Sequence, residues 1–282
     1  MKYTNDEAFH KETKMTDTFY IKIASYWVSI SINNAELSQV AREEYAYTLH
    51  CPKQKIKRYI QVNIHEKNLV YTLCTKNGHE VYRLSVDNKK NIRLKEFLLQ
   101  GFIELSLYGK NVFFVHSSCY SKNRNTYMFL GTPGKGKTTI LRLMNEKNIL
   151  SNDTCIIHYI NRKLIVYPSP FDKKTGIKML MKKRNGAINL FFLLQSPTNA
   201  LSDMDLYEKL RALQENLNFF MMVALFDISS FRHYKSYKKI AHSHLLSLIR
   251  NTNIKRLSFN RQLTAKELYA LIASTPPSQS TS

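Results

Sequence analysis

The order of apolar and polar positions changes character along this chain. Between residues 19 and 86 it follows a strand period, with short runs rich in β-branched and aromatic side chains set between clusters of turn-forming residues. The runs at 19–32, 59–64, 69–74 and 80–86 are predicted strands, the first long enough for one strand or two. Asn77-Gly78 between two such runs is a hairpin signal, and Lys67-Asn68 and Asp87-Asn88 mark further turns. Trp27, the only tryptophan, is expected in the core of this section.

A helical period takes over at residues 93–107, where Leu94, Phe97, Leu98, Phe102 and Leu105 share a face. Strands are predicted at 111–116 and 126–130, then a helix over 137–147 with Ile140, Leu141, Leu143 and Met144 on one side. A strand at 154–160, a tight turn at Asn161-Arg162 and a strand at 163–166 follow. Two strands joined in this way form a hairpin, whereas a Rossmann-type core would return through a helix to a parallel strand. A strand at 187–194, helices at 203–213, 242–249 and 264–273, and a strand at 254–259 complete the pattern, and residues 219–226 fit helix or strand. Thr264 is placed to cap the last helix.

The fold class read from this pattern is α/β. A flexible leader at 1–17 precedes a β-rich N-terminal section at 18–110, which packs on a core at 111–274 with a helical C-terminal third; a disordered tail occupies 275–282.

Between the strand at 126–130 and the helix at 137–147 stands Gly131-Thr132-Pro133-Gly134-Lys135-Gly136-Lys137-Thr138-Thr139. Its first eight residues fit the G-x-x-x-x-G-K-[ST] phosphate-binding loop at every fixed position, in the strand, loop, helix context that the motif requires. Gly131, Gly134 and Gly136 free the backbone to turn successive N–H groups inward around a polyphosphate. Lys137 would reach the terminal phosphates as a point charge, and the Thr138 hydroxyl would sit on Mg²⁺. Thr132, Pro133 and Lys135 complete the cradle, and Thr139 closes it without a separate role. A nucleotide and Mg²⁺ are therefore the expected ligands.

Two residues outside the loop bear on the chemistry. His116 ends the strand Val112-Phe113-Phe114-Val115, where an imidazole could take a proton from an incoming hydroxyl or only hydrogen-bond to backbone. Asp153 follows Ser151-Asn152, and a carboxylate there suits a metal ligand, a base, or a turn.

Charge narrows the partners. Forty-two Lys and Arg against 21 Asp and Glu give a formal net charge of +21, which attracts polyanions. The excess fits nucleic acid, an acidic membrane face, an acidic peptide or a lysine-rich background. It is spread along the chain without an arginine-rich arm, which makes nucleic acid a minor reading. Its one cluster, Lys173, Lys174, Lys178, Lys182, Lys183 and Arg184, is either a contact for phosphate or an acidic peptide or a solvated loop. Cys51, Cys74, Cys119 and Cys155 show no metal-ligand spacing and suit free buried thiols in a reducing cytoplasm. The N-terminus is too polar for a signal peptide, and no apolar run reaches the roughly 20 residues of a membrane span.

Taken together, residues 112–171 resemble the catalytic core of the HPr kinase/phosphorylase family, a core shared with phosphoenolpyruvate carboxykinases. The likeness rests on the strand-borne His116, the loop Gly131–Thr138, the helix after it, the Ser151-Asn152-Asp153 stretch and the hairpin that ends in Tyr167-Pro168-Ser169-Pro170-Phe171. It is closest to the lasso peptide kinases, which act on ribosomally made precursor peptides. The resemblance implies a cytoplasmic, ATP-dependent kinase that phosphorylates a serine or threonine hydroxyl of a precursor peptide. Under it His116, Asp153 and Lys137 are the catalytic residues, Thr138 and Asp153 hold the metal, and the loop holds the nucleotide. One position departs from the family: it usually has two consecutive carboxylates, and here the first is Asn152. A different class of function, a nucleotide-regulated binding protein that transfers nothing, shares every feature of the loop.

Overall fold

The computed structural model describes residues 17–44, 56–65, 68–75, 78–85, 99–100, 103, 107, 111–123, 125–144, 148–161, 163–171, 184–217 and 234–273. Residues 1–16 of the expected leader at 1–17, the segment at 219–226, residues 173–183 of the basic stretch at 173–184 and the tail at 275–282 lie outside them; Asp17, expected in the leader, and Arg184 are strand residues. The chain divides into two compact units, Met1–Ser106 and Leu107–Ser282.

The first unit is built on a five-stranded sheet of order β1-β2-β3-β4-β5: Asp17–Ile23, Tyr26–Ile32, Ile56–His65, Asn68–Thr75 and Gly78–Ser85. The run at 19–32 is two strands. Ala24 takes a left-handed φ of 53°, and β1 turns back antiparallel onto β2 with Ile23 opposite Tyr26. β2 and β3 are parallel, and the connection between them contains a helix, Ala35–Glu44, that the apolar pattern does not announce. Its buried face is narrow, Leu37, Ser38 and Ala41, and its start is fixed by Asn34, whose Oδ1 accepts from Leu37 N–H at 2.8 Å. β3, β4 and β5 form an antiparallel meander that closes at Thr75 opposite Gly78; Asn77 itself lies outside the described residues. Trp27 is buried, with the Lys22 ammonium 5.8 Å from its ring centre. Of the helix expected at 93–107, the described residues Leu99, Gln100, Ile103 and Leu107 are helical; Leu99 and Ile103, one turn apart, are fully buried.

The second unit is a nine-stranded mixed sheet. Its strands are β6 (Val112–Lys122), β7 (Asn125–Leu130), β8 (Ile149–Ser151), β9 (Thr154–Ile160), β10 (Lys163–Tyr167), β11 (Arg184–Asn185), β12 (Ile188–Gln195), β13 (Ala200–Asp203) and β14 (Asn253–Phe259). They lie in the order β11-β10-β9-β6-β7-β12-β14-β13, with β8 beside β6. β7, β12 and β14 are parallel; β6 and β7 form a hairpin, as do β9 and β10.

β6 runs well past the strand expected at 111–116, because Ser117, Ser118 and Ser121 look like loop residues by composition. The sheet buries all three and satisfies two of the hydroxyls on nearby backbone, Ser117 to Val115 O and Ser121 to Asn125 O, each at 3.2 Å.

Strand alternation separates two cores. Phe129, Phe191, Leu193, Leu257 and Phe259 pack with Ile140 and Leu141 of the helix Lys137–Arg142 and with Leu268 and Ile272 of the helix Ala265–Ala273. On the other face Met128, Leu130, Leu190, Phe192 and Ile254 pack with Leu213 of the helix Leu206–Asn216 and with Leu245 and Leu248 of the helix Tyr234–Asn251. Helices thus cover both faces. The last third of the chain, expected to be helical, supplies β12, β13 and β14 as well as three of these helices. No helix among the described residues is long and apolar enough to cross a membrane.

The first core carries one titrating group at its rim. Tyr120 is buried and shares a 3.0 Å hydrogen bond with the Tyr269 hydroxyl; burial, then that bond, push its phenol from 10.0 up to about 12. The unfolded chain releases this proton near 10.0, so the contribution is intact below that pH and is lost as pH rises through about 12. Urea denaturation of Tyr120→Phe should therefore show a smaller loss of stability than the parent between pH 10 and 12.

Candidate functional site

Of the parallel strands, β7 ends at Leu130, opposite Phe192, and β12 and β14 run three residues further to end together at Gln195 and Phe259. The chain leaving β7 is the glycine-rich loop, so it stands outside the carboxyl ends of the strands, where open α/β sheets bind ligands. Both neighbouring strand ends hold it. Gln195 Nε2 donates to Gly134 O at 3.1 Å, and the Phe259 ring lies so close to Gly136 that an added Cβ would come within 2.7 Å of its Cζ. Gly136 has φ 93° and Gly134 φ 84°, both left-handed, yet a Cβ on Gly134 would meet nothing within 4 Å. Glycine serves the backbone at both positions and packing at only one. Thr132, Pro133, Gly134 and Lys135 are exposed, Thr138 is half-buried and Thr139 exposed.

Buried side chains fix the root of the loop. Gly131 N–H donates to Asn216 Oδ1 at 3.0 Å, and Asn216 Nδ2 donates to Ala212 O at 2.8 Å. With Asn216 only 2 % exposed, losing this acceptor would strand a buried amide at a cost of about 1–3 kcal/mol. Lys137, 8 % exposed, turns its ammonium inward, donating to Gly131 O at 2.5 Å and reaching Thr132 O at 3.5 Å. The cation is thus already held within the curl of the loop.

β6 brings the remaining residues. Its second half pairs with β7, Ser117 opposite Leu130, and its first half pairs with β9, His116 opposite Thr154. β8 and β9 lie along one edge of β6, and Asn152-Asp153 interrupt them at the point where β6 changes neighbours. Ser117 N–H donates to Asp153 O at 2.9 Å, which anchors the interruption. Interruptions of this kind re-aim side chains. Here His116 Nδ1 comes 3.6 Å from Asp153 Oδ1, an ionic contact longer than a hydrogen bond, with the side chains 18 % and 26 % exposed. His116 shares its strand face with Ser118, whose hydroxyl reaches Lys137 O at 3.5 Å, so the pair and the loop helix lie on one side of the sheet. Asn152 is 4 % exposed. A carboxylate there would be a buried charge, and an amide avoids that cost.

The structure therefore brings together His116 and Asp153, and separately Lys137 with Gly131 and Thr132. Among the described residues no three His, Cys, Asp or Glu side chains gather into a metal-binding group. Cys119 and Cys155 are free and buried. Sequence reading missed Asn216, Gln195 and Phe259. The signal that could have found the last two is their place at the ends of predicted strands parallel to the loop strand.

Substitution separates the two glycines. Gly134→Ala should cost about 1–3 kcal/mol for its left-handed backbone alone, and Gly136→Ala a further 1–3 kcal/mol because the Phe259 ring must move. Urea denaturation checks the order, and Phe259→Leu should recover part of the Gly136→Ala loss in a double-mutant cycle. No protein-family model matches the chain, and no curated protein matches it.

Proposed function

We propose that this protein is an ATP-dependent kinase of HPr kinase-like type, with a phosphate-loop core, that phosphorylates a serine or threonine hydroxyl of a ribosomally made precursor peptide, as the lasso peptide kinases do. The observation that carries the reading is the His116–Asp153 contact on the strand beside the loop root, on the same sheet face as the helix that begins at Lys137. A loop that only gripped a nucleotide would have no use for a partly exposed imidazole and carboxylate at that place.

The residues fit the ligands. Gly134 opens a left-handed turn with free space where a side chain would stand, and the exposed stretch Thr132–Lys135 surrounds it. Lys137 supplies positive charge from inside the curl. Thr138 and Asp153 are the residues to hold Mg²⁺, which supplies charge neutralisation on the phosphates when bound. Few protein ligands are needed, because Mg²⁺ keeps waters and substrate oxygens in its shell. In the transfer the acceptor oxygen bonds to the γ-phosphorus, the bond to the ADP oxygen breaks, and the hydroxyl proton passes to Asp153 or His116. Asp153 is the one carboxylate of the Asn152-Asp153 pair, since the side chain of Asn152 is an amide and buried.

The first test is mass spectrometry of candidate precursor peptides, encoded beside this chain, after incubation with ATP and Mg²⁺. The parent protein should add phosphate to one of them and Lys137→Ala should add none. Asp153→Ala should retain ATP binding within a few-fold while transfer falls about 10²–10⁴-fold, the share of a general base. Should the parent bind ATP and leave every peptide unmodified, the protein would instead be a nucleotide-regulated binding protein.

A further inference from the structure

Asn216 sits at the end of the helix Leu206–Asn216, on the sheet face opposite the loop helix, where this helix end meets both the loop and the strand that bears His116. Its side chain takes the first amide of the loop, Gly131 N–H, at 3.0 Å. Its chain neighbour Leu217 forms a bridge to Val115, the residue before His116. Leu217 N–H also closes the helix on Leu213 O at 2.9 Å, and Asn216 Nδ2 donates to Ala212 O at 2.8 Å, so this corner is tied to the last helical turn. β7 stops at Leu130, opposite Ser117, and beyond that point β6 has Leu217 beside Val115 in place of β7. The helix end therefore occupies the gap between the loop and the strand that bears His116.

We infer that Asn216 is a positioning residue: it sets the spacing between the phosphate loop and the His116 strand, and with it the alignment of donor and acceptor. The inference rests on the kinase reading for its catalytic consequence but not for its structural one. The chemistry of the side chain is specific. Both polar atoms of a residue 2 % exposed are engaged, one as acceptor and one as donor, a pairing that a carboxylate or an apolar side chain cannot supply. An apolar side chain would leave Gly131 N–H buried without an acceptor, and the loop root would leave the helix end. Aspartate keeps the acceptor for Gly131 but sets an oxygen against Ala212 O. Because Gly131 N–H is committed to Asn216, the inward donors for phosphate begin further along the loop.

The test uses the full chain in two steps. Amide hydrogen exchange without ligand follows peptides covering residues 128–137 and 112–118. Asn216→Ala should exchange at least tenfold faster than the parent in both peptides. Asn216→Asp should stay below about tenfold at 128–137, since it still accepts from Gly131 even though its buried charge faces Ala212 O. Parental exchange in the Ala variant would overturn the inference. So would fast exchange at 128–137 in the Asp variant, which alone decides should the Ala variant fail to fold. In the second step, affinity for a fluorescent ATP analogue in Asn216→Ala should stay within about threefold, while loss of the γ-phosphate from ATP, to peptide or water, falls at least thirtyfold. A purely structural role would weaken both together, and that result would overturn the positioning role. If the parent neither binds nor turns over ATP, the kinase reading fails and the exchange step still decides whether Asn216 sets the spacing.

Discussion

Ser117 is the residue on which the second unit turns. There β6 leaves β7, whose last residue is Leu130, and the strand on its other edge breaks at Asn152-Asp153. A buried backbone must find a partner for every N–H and C=O. At Ser117 the N–H finds Asp153 O, and two residues earlier along β6, at Val115, the neighbour is Leu217 at the end of a helix. Satisfying one strand from three directions gathers the ends of three elements at one place. The carboxylate and the imidazole meet on β6, next to the strand that feeds the loop, because β6 draws its hydrogen bonds from both edges at this point.

The loop is held by its surroundings more than by its own composition. Its exposed crown, Thr132 to Lys135, is tied through backbone carbonyls, by Gln195 to Gly134 O and by Lys137 at 3.5 Å to Thr132 O, whereas its root is locked by Asn216 and the buried Lys137. A stiff root beneath an open crown fixes where the loop leaves the sheet while its tip stays accessible. The two faces of the sheet divide the labour. The Phe259 and Phe191 side packs the loop helix, and the Leu213 side carries the helix whose end pins Gly131.

The polar residues of β6 show why strand patterns mislead at functional sites. Ser117, Ser118 and Ser121 end the apolar run at Val115 and predict a loop, yet they are buried strand residues. Burying hydroxyls in a strand is economical only where backbone acceptors lie within reach, and Val115 O and Asn125 O supply them. The helix Ala35–Glu44 is the converse case, with so little apolar surface that only its docking on the sheet reveals it. Asn152 belongs with these: its neighbour Asp153 stays partly exposed, while the amide sits in a buried position that would penalise charge.

The sequence by itself determined what is local. Glycine placement dictated the loop, since left-handed φ at Gly134 and Gly136 is a property of those residues and not of their surroundings. Alternation and turn chemistry likewise located most strands, the β9–β10 hairpin and the Thr264 cap, where Glu267 N–H donates to the threonine hydroxyl at 3.3 Å. Only the tertiary structure decided which strand lies beside which, that His116 meets Asp153, and that Asn216, 85 residues from Gly131, holds its amide. The physical reason is that a single buried polar side chain leaves no periodic trace. Its meaning is set by the one donor or acceptor it faces, and that partner is chosen by sheet register and helix docking, which many distant residues fix together.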